Sequence, residues 1–133
     1  MELKRAGYAN NLHRRINFHC NGTIDNSVLR KCIYENVIGP QPNYEESISN
    51  HVRQGRWQIL PCNSVHLARD FRNYLIDYFR PPCNINHPAW NNRNQTQYDA
   101  MRVQLLASPF RTCAELLESL GPNITGVELF YHD

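Results

Sequence analysis

The strongest periodic pattern of hydrophobic residues in the chain follows Pro61. Apolar side chains recur every three or four positions between residues 67 and 79, which is the spacing of one face of an α-helix. Asn63 or Ser64 could cap the start of this helix, and Pro81-Pro82 ends it. The other side of the helix carries Arg69, Arg72, Asn73 and Arg80. The pattern therefore predicts a core helix with an arginine-rich outer side.

Three further segments have helical spacing, and each begins near a residue that favours helix starts: Ser27, Thr96 and Thr112. Glu115 stands three residues after Thr112, which is the spacing of a capping box. The segments end before Pro40, Pro109 and Pro122. We therefore predict four helices in all.

Alternation of apolar and polar residues is confined to short segments. Ile16, Phe18 and Cys20 alternate with polar residues before Asn21-Gly22, a dipeptide that favours tight hairpin turns. The C-terminal segment alternates at Val127, Leu129 and Tyr131. The first segment could form a short N-terminal hairpin and the second a minor C-terminal strand. The predicted fold is therefore mostly α, a small single-domain helical bundle.

Charged residues are distributed unevenly along the chain, although the net charge is only +2. Residues 1–111 contain all 14 Lys and Arg against 8 acidic residues (+6), whereas residues 112–133 contain 4 acidic residues and no Lys or Arg (−4). We divide the chain into a polar basic arm (1–15), a helical domain (16–111) and an acidic C-terminal helix and tail (112–133). The division favours a polyanion partner, or a tail that shields the basic face. Chance variation over so short a tail explains it equally well.

The cysteine pattern bears on the cellular compartment. Five cysteines are far apart and form no C-x-x-C pair: Cys20, Cys32, Cys62, Cys83 and Cys113. An odd number of separated cysteines is typical of reduced thiols in an intracellular protein. The chain has no apolar stretch of membrane-spanning length, and its start lacks the apolar segment of a signal peptide, so we expect no membrane partner. Three Asn-x-Thr sequons leave a secreted, glycosylated protein as a weaker alternative.

No motif for catalysis or metal binding stands out. The chain contains no glycine-rich phosphate loop, no G-x-S-x-G and no His-Glu pair with the spacing of zinc proteases. His19 and Cys20 are adjacent, and adjacent residues rarely bind one tetrahedral ion together. We therefore expect no enzymatic activity, no metal site and no cofactor.

The loop after Pro82 is the strongest candidate for a binding site. Residues 83–95 contain five Asn, together with Arg93 and Trp90. Arg and Asn side chains suit phosphates and the edges of bases. An ordinary solvated loop can have the same composition, and Trp90 is more typical of a core plug than of a base-stacking surface. The composition alone therefore leaves binding and non-binding interpretations open.

The order of these segments resembles the BEN domain family over roughly residues 21–107. The segments that carry the resemblance are NSVLRKCIYENV, a polar stretch with YEES, ILPCNSVHLARDFRNYLIDYF, a Trp and QYDAMRVQLL. Leu60-Pro61-Cys62-Asn63-Ser64 stands where the family has Leu-Asp-Pro-x-Lys. The resemblance implies a small all-helical module of chromatin proteins or poxvirus-type proteins. Such modules bind DNA or associate with other proteins.

The resemblance also implies where DNA would be bound, namely by the last helix and the loop before it. Carried over by position, the contact residues are Asn92, Arg93, Asn94, Gln97 and Arg102. A supporting basic surface would include Arg69, Arg72, Arg80, Arg14 and Arg15. The hypothesis is a non-enzymatic module that binds double-stranded DNA, in the nucleus or at cytoplasmic viral replication sites. The alternative is an adaptor that forms a homodimer or binds another protein through the acidic tail or the LLESL helix.

Overall fold

A three-stranded antiparallel sheet forms the centre of the computed structural model, which describes residues 1–133. The strands are β1 (Glu2–Ala9), β2 (Arg56–Pro61) and β3 (Gly126–His132), in the order β1-β3-β2. The predicted helical bundle is therefore wrong, because the fold is α/β. Residues 1–15 contribute an edge strand where a polar arm was predicted, and the predicted minor C-terminal strand is the central strand of the sheet.

The central position of β3 follows from its side chains. Every residue from Gly126 to Tyr131 is buried, so both faces of the strand are covered. Leu129 lies opposite Ala6 of β1 and opposite Gln58 of β2. A strand that is buried on both faces reads as a nearly continuous apolar run, and Glu128 interrupts this one. That interruption made the segment resemble an exposed alternating strand.

Helices cover both faces of the sheet. Their bounds are α1 (Leu12–Asn21), α2 (Val28–Ile33), α3 (Tyr44–Gln54), α4 (Val65–Phe79), α5 (Gln95–Leu106) and α6 (Cys113–Ser119). A π-helical turn over Tyr34–Ile38 extends α2, and a 3₁₀ turn over Asn92–Asn94 precedes α5. One core joins α4 and α5 to Leu129 and its neighbours. The other joins α1, α2, α3 and α6 to Trp57 and Phe130.

Local capping signals identified several helices correctly. The helix predicted after Pro61 is confirmed as α4, and the Ser64 hydroxyl accepts the backbone N–H of Leu67 at 3.1 Å. Ser27 caps α2, and the capping box of Thr112 and Glu115 is present at α6. Thr96 was predicted to cap a helix, but this helix begins at Gln95, so Thr96 lies inside its first turn. Caps are visible in the sequence because their hydrogen bonds span only three residues.

The predicted N-terminal hairpin is wrong, because residues 12–21 form helix α1. Leu12, Ile16 and Cys20 recur every four residues and are all buried. Asn11 caps the helix by accepting the backbone N–H of Arg14 at 3.1 Å. Alternation over five residues is compatible with this helical spacing, and the tertiary packing of the apolar side decided the outcome.

Two disulfides link the layers of the fold. Cys20 of α1 is bonded to Cys113 of α6, and Cys32 of α2 is bonded to Cys83 in the loop after α4. Cys62 is free and half-buried, and burial raises the pKa of its thiol to about 11. The prediction of five reduced thiols is therefore wrong. Partners 93 and 51 residues apart leave no local pattern in the sequence. None of the helices is both long enough and apolar enough to cross a membrane.

Candidate anion-binding site

The loop that the sequence indicated as the DNA-contact surface is tied to α4 by carboxylates. The backbone N–H of Asn91 donates to Asp70 at 3.1 Å, and the indole N–H of Trp90 donates to Asp77 at 3.2 Å. The side chains of Asn92, Arg93 and Gln97 are exposed. The acidic residues beside the loop offset its arginine, so this surface has no strong excess of positive charge.

Two of the predicted contact residues are held by other side chains. The Arg102 guanidinium contacts the Asp99 carboxylate at 3.2 Å and the Tyr74 hydroxyl, and it lies 4.0 Å from the ring centroid of Tyr78. The Asn94 amide donates to the Tyr98 hydroxyl at 3.3 Å. These contacts assign structural roles to both side chains, since Arg102 links α5 to α4 and Asn94 is bonded within the start of α5.

The predicted supporting arginines separate into two groups. Arg80 pairs with Asp77 at 3.2 Å, Arg14 lies over the ring of Phe18, and Arg69 is exposed. Arg15 and Arg72 instead line a common surface cavity. The sequence thus named two of the residues of this cavity, although it gave them only a supporting role.

The cavity lies between β1, α1 and α4 and has a volume of about 320 Å³. Its polar lining consists of Arg5, Tyr8, Asn10, Arg15 and Arg72. A neighbouring cavity of about 410 Å³ shares Arg5 and Arg72 and adds Asn84 and Asn86. The two cavities share two lining arginines, and we call them together the arginine groove.

Local packing fixes the direction of these arginines. The Arg72 guanidinium lies 4.7 Å from the ring centroid of Tyr8, and its Nε donates to the Asn73 side-chain oxygen at 2.8 Å. The nearest carboxylate to Arg5 is Glu128, at 3.8 Å. Arginine stacked on an aromatic ring keeps most of its N–H donors free. The geometry therefore points unpaired donors into the groove.

The electrostatics of the groove favour an anion. Burial lowers the pKa of Arg5, the charges of Arg72 and Arg15 lower it further, and Glu128 opposes them. Burial also lowers the pKa of Arg72, while Tyr8 and Glu128 raise it. Arg15 and Arg72 form no salt bridge, and Glu128, the carboxylate that contacts Arg5, does not line the cavity. Crowded cations of this kind are typical of functional sites.

A buried polar chain runs behind the groove. His19 Nε2 lies 3.5 Å from Glu128 Oε1, and His19 Nδ1 is hydrogen-bonded to Ser27 Oγ at 2.6 Å. Neither carboxylate oxygen of Glu128 has a hydrogen-bond partner, and Arg5 Nε has none. A Cβ atom at Gly7 would lie 2.3 Å from Glu128 Oε1, so only glycine leaves room for this carboxylate.

His19 makes stability depend on pH. Burial lowers its pKa below 6.5, although the nearby Glu128 carboxylate opposes the shift. Below about pH 6.5 the unfolded chain binds a proton that the folded chain does not, so stability falls as the pH drops towards the folded pKa. We expect urea unfolding of the wild type to show this loss between pH 7 and pH 5, and of His19→Gln to show less. His51 adds to the same window because burial lowers its pKa too.

The exposed His87 provides the control for that experiment. His87→Gln should keep the full pH dependence of the wild type. An unchanged pH dependence in His19→Gln would show that the buried imidazole is not the group responsible.

Sequence reasoning missed Arg5, Glu128 and Ser27 as site residues. Arg5 stood in a segment predicted to be an arm, and Glu128 stood in a segment predicted to be a tail. Only the pairing of β1 with β3 brings them together, with Gly7 opposite Glu128. Ser27 was recognised only as a helix cap. No group of three or more His, Cys, Asp or Glu side chains is arranged to hold a metal ion.

Comparison with protein-family models, with curated proteins and with solved structures gives no match for this chain. The resemblance to BEN domains therefore stays a prediction from the residue pattern.

Proposed function

We propose that the protein binds nucleic acid by contacting phosphates in the arginine groove. The observation that carries the proposal is the convergence of Arg5, Arg15 and Arg72 on one cavity whose lining includes no carboxylate. Guanidinium groups bind phosphates through paired N–H donors and keep their charge when partly buried. The uncompensated charge is therefore suited to a ligand with repeated anionic groups.

The shape of the groove supports an extended ligand. Its two cavities continue from Asn10 and Arg15, past Arg5 and Arg72, to Asn84 and Asn86. At the far end the exposed Asn86 amide can donate to phosphate oxygens or to base edges, whereas the Asn84 side chain is bonded to the backbone of Ala6. Duplex DNA, the partner expected from the sequence, is thus the first ligand to test. The exposed side chains of Asn92, Arg93 and Gln97 would add contacts beyond the groove.

Binding to duplex DNA is expected to weaken as salt rises. Each phosphate contact contributes a slope of about −0.9 in log affinity against log salt. Contacts from three arginines should therefore give a slope of about −2 to −3. Fluorescence anisotropy with a labelled random duplex, titrated at several NaCl concentrations, measures the slope directly. An affinity that ignores salt would contradict phosphate binding.

A pair of variants with equal charge change locates the site. Arg72→Ala should weaken binding about tenfold or more, because it removes a charge-assisted hydrogen bond worth roughly 1.5–3 kcal/mol. Arg93→Ala removes the same charge from the loop and should weaken binding much less. The opposite ranking would place the DNA on the loop that the sequence indicated.

Protein association is the second candidate function, and one observation favours it. Three large apolar side chains at and after the end of α5 are exposed: Val103, Leu106 and Phe110. Exposed apolar side chains can mark contact sites for other proteins. Light scattering that shows salt-insensitive dimers, together with no shift of any duplex, would favour this function over nucleic-acid binding.

The disulfides change the expected compartment. The intracellular expectation rested on reduced thiols, and two disulfides instead favour folding in an oxidising compartment. We infer that protein purified without reductant contains one free thiol, at Cys62. Mass spectrometry after alkylation without reduction tests this inference. Labelling at all five cysteines would restore the intracellular expectation.

A further inference from the structure

Three polar side chains from different elements contact one another in a row, and the nucleic-acid proposal assigns no role to this row. Ser27, before α2, contacts His19 of α1, and His19 in turn faces Glu128 of β3. Both His19 and Glu128 are almost completely buried, at 1% exposed each. Burying a carboxylate and an imidazole is costly unless they interact with each other or with a ligand. The energetic cost of burying these polar groups indicates that they have a role other than packing.

The hydrogen positions along this row follow from its neighbours. His19 Nε2 faces a carboxylate oxygen, and a carboxylate stabilises the tautomer that carries the hydrogen at Nε2. Nδ1 then has a free lone pair. Ser27 Oγ accepts the backbone N–H of Arg30 at 3.1 Å, so its own hydrogen is available for Nδ1 at 2.6 Å. In this arrangement the serine donates to the imidazole.

We propose that Ser27, His19 and Glu128 form a nucleophile, a general base and a positioning carboxylate that together hydrolyse carboxylic esters. The required relations are a serine within hydrogen-bond reach of a base and a third group that orients the base. Here the 2.6 Å hydrogen bond joins Ser27 to His19, and Glu128 lies 3.5 Å from His19 Nε2, where it acts on the imidazole through its charge rather than through a hydrogen bond. Burial lowers the pKa of His19, which keeps the imidazole neutral and able to accept a proton near pH 7.

The surroundings of Ser27 indicate the class of ester. Ser27 is 3% exposed and lies at the wall of a cavity of about 490 Å³ that is also lined by Arg15, Lys31, Asp25 and Asn26. Arg15 and Lys31 are two cations that would attract a negative group on the substrate and stabilise negative charge on the carbonyl oxygen during attack. The site is thus suited to esters that carry an anionic group near the scissile bond.

The proposed reaction balances without a redox partner. Ser27 Oγ attacks the ester carbon and its proton moves to His19 Nδ1, while Glu128 stabilises the imidazolium. The bond to the alcohol breaks, and the alcohol leaves with that proton, so Ser27 carries the acyl group. Water then attacks the acyl carbon and gives a proton to His19. Ser27 regains that proton as it leaves, which releases the carboxylic acid.

The test uses the full chain with two chromogenic esters, 4-nitrophenyl acetate and the anionic 4-nitrophenyl succinate. We expect hydrolysis of both, with the larger kcat/KM for the anionic ester at low salt. Ser27→Ala should reduce the rate to that of the buffer. Ser64→Ala is the matched control because Ser64 caps α4 through the same kind of hydrogen bond and is not hydrogen-bonded to a histidine. It should keep the wild-type rate.

Two further measurements test the triad even if Ser27→Ala fails to fold. A fluorophosphonate probe applied to the wild type should label Ser27 when its peptides are analysed by mass spectrometry. Glu128→Gln should lower kcat while KM stays unchanged, because Glu128 acts only through His19. No turnover with Ser27 unlabelled, or equal losses in Ser27→Ala and Ser64→Ala, would overturn the triad. Equal rates for both esters would overturn the assigned substrate class. Nucleic-acid binding by Arg72→Ala tests the groove only and does not affect the conclusions on ester hydrolysis or on the substrate class.

Discussion

Replacing Cys20 and Cys113 together by alanine is expected to lower the free energy of unfolding by about 3–5 kcal/mol. The bond closes a loop with a sequence separation of 93 residues, so it removes many conformations from the unfolded chain. It also joins α1 to α6, whose buried residues share the core around Trp57 and Phe130. Guanidinium chloride unfolding without reductant, followed by circular dichroism, measures the change.

The free cysteine supplies the control for this experiment. Cys62→Ala removes a half-buried thiol that forms no disulfide, and we expect a change of about 1 kcal/mol or less. Adding reductant to the wild type should move its unfolding midpoint towards that of the double variant. A double variant as stable as Cys62→Ala would show that the Cys20–Cys113 bond does not restrict the unfolded chain.

The parts of the fold that depend on short-range signals could be predicted from the sequence. Ser64 and Ser27 bond to N–H groups three residues later, so their helices leave a local pattern. The sheet has no such signal, because Glu2 of β1 pairs with His132 at the other end of the chain. Closing so large a loop depends on total burial, which no window of sequence reveals. The central strand β3 was therefore mistaken for a minor strand.

The residues of the candidate site also differ in how far the sequence could predict their positions. Arg72 was placed on the outer side of α4 by helical spacing, and the structure confirms that it is not part of the apolar face. The spacing could not show that β1 brings Arg5 and Tyr8 beside it. The Asn-rich loop is split between two places: its Trp90 and Asn91 are tied to Asp77 and Asp70 of α4, whereas its Asn86 lines the groove together with Arg72. The order of the segments in the sequence was the basis for predicting the loop as the DNA-contact surface.

Glu45→Ala is expected to lower the free energy of unfolding by about 3 kcal/mol, because it leaves a buried cation without its carboxylate. The Arg30 guanidinium is fully buried and contacts Glu45 Oε1 at 3.0 Å. Its other hydrogen bonds go to neutral oxygens of His19, Ser49 and the Glu45 backbone. The Glu45 side chain is 31% exposed, and water reaching the pair places the expected loss at the lower end of the range for buried pairs.

The neighbouring Glu46 makes a matched control, because it is exposed and forms neither a hydrogen bond nor a salt bridge. Glu46→Ala removes the same charge from the same helical turn and should change stability by about 0.5 kcal/mol or less. Equal losses in the two variants would show that helix-end charge, rather than the pair with Arg30, determines the result. Urea unfolding of both variants at pH 7 decides between these explanations.

A double variant separates the net contribution of the Arg30–Glu45 pair to stability from the loss of stability caused by leaving Arg30 unpaired. Arg30→Met combined with Glu45→Ala removes both charges and keeps an unbranched apolar side chain in the buried position. Because no cation is then left unpaired, we expect the double variant to be more stable than Glu45→Ala alone. The same hydrogen bonds hold α2 against α1 and α3, so Arg30 also fixes where Ser27 lies relative to His19. If the double variant is less stable than Glu45→Ala, then Arg30 stabilises the fold mainly through its bonds to neutral oxygens rather than through its charge.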